Sequence, residues 1–159
     1  MIPEYKLYHG AVLADIIDKA KGVVSFREVV NEGRLLNYVV NEKIGLHIKH
    51  SAARLHPWQF SFSDVHVLQL RELTKTFPVT FVILVCWTDG FVSIPADSLL
   101  AFFAKASGAT WLRVDRKKRE MYRVYGSAGE YGMRMRTAGE PIVEALFGNM
   151  FSTDPPSLT

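Results

Sequence analysis

Apolar and polar positions alternate along this chain with two periods, and each period predicts a type of element. Val12, Leu13, Ile16, Ile17 and Ala20 recur at helical spacing, with Asp15, Asp18, Lys19 and Lys21 between them. That spacing predicts an amphipathic helix of about three turns, ended by Gly22. Val23–Val30 and Leu35–Val40 are β-type stretches, and Asn31-Glu32-Gly33 between them has turn chemistry, so a hairpin is expected. Ile44–Ser51 alternates: Ile44, Leu46 and Ile48 point one way, Gly45, His47 and Lys49 the other. Trp58–Phe62 alternates in the same manner after the breaker Pro57.

Ser63 is the expected N-cap of a second helix, with Asp64 in its first turn complementing the helix dipole. Leu70, Leu73 and Phe77 share a face of that helix, and Pro78 stops it. The continuous β-branched and apolar run Thr80–Cys86 predicts a strand buried on both faces. Asp89-Gly90 turns the chain into Phe91–Ile94, and a helix follows from Pro95 through Phe103, closed near Gly108. Thr110–Val114 and Met121–Tyr125 form a further hairpin that Tyr131–Arg136 extends. A last helix runs from Glu140 to Met150, and Ser152–Thr159, with Pro155-Pro156, is expected to be a disordered tail. The order predicts an α/β or α+β chain with a mixed β-sheet flanked by helices, and one domain over residues 1–151.

Composition changes this picture little: 48% hydrophobic and 22% charged residues are ordinary for a globular chain. The lone Cys86 excludes an internal disulfide framework and reads as a buried small hydrophobe. The apolar run around Val79–Val85 is too short for a membrane-spanning helix, and the first ten residues lack a secretory pattern. A cytoplasmic location without membrane association is the expectation. The net charge of +3 is unevenly spread: Trp111–Arg136 holds eight basic residues against Asp115, Glu120 and Glu130. Two readings stand for that segment, a solvated charged turn or a surface that attracts phosphates.

No P-loop, GxGxxG, HExxH, CxxC or GxSxG pattern is present. The five histidines make no helical metal pair, and His47 and His50 stand three apart on a strand. The segment GLHIKHSAARLHPWQF carries more chemistry. Lys49 closes an alternating strand between His47 and His50, followed by Arg54 and Trp58. Cations beside an aromatic ring are suited to hold phosphate and stack a base; solvated side chains on an outer face are the plain alternative.

The run from Leu46 to Ala96 resembles the core of the PD-(D/E)XK nucleases, a restriction-endonuclease-like superfamily, and within it the archaeal Holliday-junction resolvases. His47-Ile48-Lys49 stands where that family has an acid-x-Lys motif, followed by a basic loop at Ala52–His56. Trp58–Phe62, Val65–Phe77, Val79–Cys86 and Phe91–Ile94 come next in the family's order, and Val12–Ala20 matches its first helix. The same stretch is similar to bacterial proteins that carry IKHS and PWQF runs. The resemblance implies a nuclease-like fold, DNA or RNA as partner, and Lys49 and His47 at the catalytic position. It implies Mg²⁺ or Mn²⁺ only for a catalytically active chain, with Glu28, Glu32 or Glu42 as improvised ligands. His47 replaces the family's acid, and imidazole is a poor ligand for Mg²⁺, which prefers oxygen. The expectation is nucleic-acid binding through Lys49, Arg54, Trp58, Arg116, Lys117, Lys118 and Arg119, with hydrolysis weak or lost. The alternative is a homodimeric interaction module whose seam is covered by Tyr5, Tyr8, Trp111, Phe147 and Phe151.

Overall fold

The computed structural model describes residues 1–30, 36–117, 120–135 and 140–148. Helix α1 (Glu4–Lys19) is followed by strands β1 (Phe26–Val30), β2 (Leu36–Val40), β3 (Ile44–Ser51) and β4 (Trp58–Phe62). Helix α2 (Asp64–Thr76), strands β5 (Val79–Cys86) and β6 (Gly90–Pro95), and helix α3 (Ala96–Phe103) come next. Strands β7 (Thr110–Asp115), β8 (Tyr122–Gly126) and β9 (Gly129–Met135) precede helix α4 (Glu140–Phe147).

These strands form two sheets. The first, ordered β1-β2-β3-β5-β6, is mixed: β3 and β5 are parallel, and every other pair is antiparallel. The second, ordered β4-β7-β8-β9, is antiparallel throughout. The expected α+β class with a mixed sheet flanked by helices is what the chain forms. The second sheet is an addition: β4 pairs with β7, Trp58 opposite Val114 and Phe62 opposite Thr110.

Both faces of the first sheet are covered, which accounts for the buried run of β5. On one face Tyr38, Leu46 and Ile83 pack against Val12 and Ile16 of α1 and Ile142 of α4. On the other, Val82 and Leu84 join Leu70 of α2, Leu99 of α3 and Phe60 of the second sheet. Cys86 is fully buried in that second cluster, and burial raises its thiol pKa, as expected of a small core hydrophobe.

Helix α1 begins about two turns before the predicted Val12. His9, Val12 and Ile16 make one buried stripe, so a histidine occupies a position that a purely apolar pattern overlooks. Its helical hydrogen bonding ends at Lys19, not at Gly22; a Cβ on Gly22 would lie 2.9 Å from Phe147 Cε1, so that glycine serves close packing. Strand β1 starts at Phe26, three residues after the predicted Val23, and pairs with β2 in the expected hairpin. Its connection, including Glu32, lies outside the described residues, as do Lys118, Arg119 and the tail 149–159. None of the described helices is long and apolar enough to cross a membrane.

Candidate functional site

Strand β2 (Leu36–Val40) pairs Asn37 with His47 of β3. A cleft of about 540 Å³ opens beside this part of β3. Strand β3 contributes His47, Ile48, Lys49 and His50, α2 contributes His66, and Tyr5 and His9 of α1 form a further wall beside Leu36. Among the described residues, the lining contains no carboxylate.

His47 and Lys49 occupy alternate positions and face α2, while Ile48 and His50 face α1. Lys49 Nζ lies 3.3 Å from His66 Nδ1 and 4.7 Å from the centroid of the Phe62 ring. Half-burial lowers the Lys49 pKa to about 8, because no anion nearby replaces the lost water. The same His66 nitrogen accepts the Ser63 backbone N–H at 3.1 Å, while Ser63 Oγ accepts the His66 backbone N–H at 3.3 Å. This reciprocal capping box fixes Nδ1 as an acceptor and so leaves the proton of neutral His66 on Nε2. Burial, then the Lys49 charge, holds the His66 pKa below its ordinary value.

His47 is only 3% exposed. Its Nδ1 lies 2.8 Å from Asn37 Oδ1, and its buried Nε2 has no hydrogen-bond partner. Burial, then Lys49 and neighbouring histidines, push its pKa down to about 3. His9 is buried too, with Nδ1 2.9 Å from the Tyr38 hydroxyl, and burial followed by His50 takes its pKa to about 4. Tyr8 stacks on His50 with ring centroids 4.4 Å apart. Among the described residues, the cleft thus gathers His9, His47 and His66, each with its pKa lowered, around Lys49.

The glutamates expected as metal ligands are not brought to Lys49. Glu28 pairs with Tyr38 and shares its face, towards α1, whereas Lys49 faces α2. Glu42 sits in the turn before β3, seven residues and roughly 23 Å of strand from Lys49, and forms a two-point ion pair with Arg27 at 2.7 Å. Glu32 lies outside the described residues. Among the described residues no three His, Cys, Asp or Glu side chains come together in a way that could hold a metal ion.

Trp58 is a correction. It is 3% exposed, belongs to the core, and donates its indole N–H to Ala53 O at 2.7 Å, so its ring offers no face to a base. Arg54 is exposed, with its guanidinium 5.8 Å from the Trp87 ring. Arg116 pairs with Asp89 at 2.9 Å and lies over Tyr122, whose hydroxyl donates to the same Asp89. Arg54 and Arg116 therefore meet the turn between β5 and β6, and Lys117 beside them is exposed. This basic locus adjoins the end of β3, where Trp87 N donates to Ser51 O. Of the aromatics assigned to a dimer seam, Tyr8 is stacked on His50 and Phe147 packs into the core, while Tyr5 is 39% exposed.

The sequence pattern alone did not single out His9, Asn37 or His66. His66 had a readable signal, since it stands three residues after Ser63 at the reciprocal position of a capping box.

The fold places the chain among mixed α+β proteins with a parallel β3–β5 pair at the centre of the sheet. Compared with solved structures, it is similar to a Holliday junction resolvase of the hyperthermophilic archaeon Archaeoglobus fulgidus. The two share 14% sequence identity with a TM-score of 0.46, over 70% of this chain and 88% of the resolvase, a distant fold relationship. No family model matches the sequence, and no curated protein matches it.

Proposed function

We propose that this chain is a nucleic-acid-binding domain of nuclease-like build, which holds phosphate on Lys49 without a carboxylate-held metal. One observation carries the reading: Lys49 Nζ stands in an open cleft of about 540 Å³ with imidazole neighbours and, among the described residues, no carboxylate in the lining. A cation without an internal counter-ion favours an external anion, and phosphate meets that need with hydrogen-bond acceptors as well as charge. The exposed Arg54 and Lys117 beyond the end of β3 extend the positive surface for a polynucleotide backbone. The acid-for-histidine replacement in His47-Ile48-Lys49 supports a binding role over metal-dependent hydrolysis, since Mg²⁺ requires oxygen ligands.

The test is incubation of the purified protein with plasmid, single-stranded DNA and RNA, with Mg²⁺, with Mn²⁺ and with neither. The expected outcome is binding that weakens as salt rises, with no metal-dependent cleavage. Failure to bind all three nucleic acids at low salt would overturn the reading.

A further inference from the structure

We infer that Trp87, in the turn between β5 and β6, is the ring on which an unpaired base of a single-stranded nucleic acid stacks. The inference rests on the chain binding nucleic acid, and it names the contact made to the part of the strand that is not phosphate.

Strands β3 and β5 run parallel and end together, with Ser51 opposite Cys86. Trp87 follows at once. Its backbone N–H donates to Ser51 O at 3.1 Å, and Asp89 N donates to Cys86 O at 2.9 Å to close a tight turn. Trp87 enters that turn with φ of 47°. Glycine adopts such a conformation freely, whereas a bulky side chain there is an outlier. Folding alone therefore favours glycine at this position, and an indole kept there against backbone strain is explained by a use outside the core. The turn is anchored on its far side as well: Arg116 pairs with Asp89 at 2.9 Å, and the Tyr122 hydroxyl donates to the same carboxylate. The indole thus stands on a fixed support and keeps part of its surface open to solvent.

Its surroundings suit a single strand. The exposed Arg54 places its guanidinium 5.8 Å from the Trp87 ring centroid, within reach of cation–π attraction. A base between the two groups needs about 7 Å, two ordinary contact distances, so Arg54 has to withdraw by only about 1 Å. A guanidinium plane stacks on a base as well as on an indole. Arg54 and the exposed Lys117 beside the turn also offer charge to the flanking phosphates. Bases inside a duplex have both faces covered by their neighbours, so the ring selects an unpaired one.

Fluorescence titration tests this with three probes of one length: a thymidine strand, the same backbone with abasic spacers in place of every base, and a blunt duplex. The thymidine strand is expected to quench tryptophan emission and to bind at least about fivefold more tightly than the abasic strand; the duplex should not quench. Trp87→Phe keeps a ring, so it should largely retain affinity for the thymidine strand while the quenching disappears. Trp58 in the core and Trp111 on β7 remain in that variant as internal controls. Trp87→Gly suits the backbone of the turn and should bind the thymidine strand no more tightly than the abasic one. Its melting curve checks folding, and the emission of Trp87→Phe decides if the glycine variant does not fold. Quenching that survives in Trp87→Phe, or thymidine and abasic strands bound equally by the unmodified protein, overturns this inference and leaves phosphate binding standing. Absence of binding by all three probes overturns both.

Discussion

Lys49 Nζ lies 3.3 Å from His66 Nδ1, the nitrogen that also accepts the Ser63 N–H, so one imidazole ties the end of β3 to the start of α2. Ser63→Ala removes only the hydroxyl half of the capping box and should cost about 1 kcal/mol of stability, with phosphate affinity nearly unchanged. His66→Ala should show a similar stability loss and a clear drop in affinity as well, because Lys49 loses its positioning contact. Urea unfolding and titration with phosphate check both; equal affinity losses in the two variants would contradict this division of roles.

Acid should destabilise the protein through His9 and His47. Both are neutral in the fold, with pKa values lowered to about 4 and about 3 from an ordinary 6.5. Between those values the unfolded chain binds more protons, so stability is complete above pH 6.5 and falls as pH drops towards 4. Each of the two histidines should contribute a loss on the order of 3 kcal/mol by pH 4. Melting temperatures measured across this range should decline, and His9→Gln should flatten the curve. Phosphate binding should respond at the other end, weakening as pH rises through about 8 and Lys49 loses its proton.

Trp58 and Arg54 should separate stability from binding. Trp58→Ala empties a core position and is expected to cost roughly 3–5 kcal/mol, with the indole hydrogen bond to Ala53 O also lost. Arg54 is exposed, so Arg54→Ala should leave unfolding unchanged and weaken nucleic-acid binding, with a shallower salt dependence. Filter binding at several salt concentrations checks this, and a salt slope unaltered by Arg54→Ala would count against the basic locus.

Gly45 should not tolerate a side chain. A Cβ there would lie 2.6 Å from Thr80 Oγ1 and 3.2 Å from Leu73 Cγ. Thr80 Oγ1 is itself held by donation to Phe77 O at 2.6 Å, so it cannot turn aside freely. Gly45→Ala is expected to cost roughly 1–3 kcal/mol through overpacking between β3 and α2, measurable by chemical denaturation.

Local periodicity made most elements readable, since each strand and helix carries its own repeat of two or 3.6. The first two turns of α1 were missed because His9 fills a core position through its bond to Tyr38, a partner 29 residues away. The second sheet was missed for a related reason: Trp58–Phe62 alternates equally well in either sheet, and its pairing with β7 is decided by long-range contacts such as that of Arg113 with Gln59. At the site, Lys49 and His47 stood out by type and position. Their surroundings did not, because alternation reports two faces without saying what covers each. The ring of Trp58 and the carboxylates of Glu28 and Glu42 were therefore assigned roles that their actual faces and partners do not support.

The central claim is that Lys49 binds phosphate without a metal. Fluorescence anisotropy of labelled single-stranded DNA, in EDTA and at low salt, tests it on the unmodified protein and on Lys49→Ala. Binding is expected to persist in EDTA and to weaken at least about tenfold, or about 1.4 kcal/mol, in the variant. Unchanged affinity in Lys49→Ala, or binding that appears only with Mg²⁺ or Mn²⁺, would contradict it.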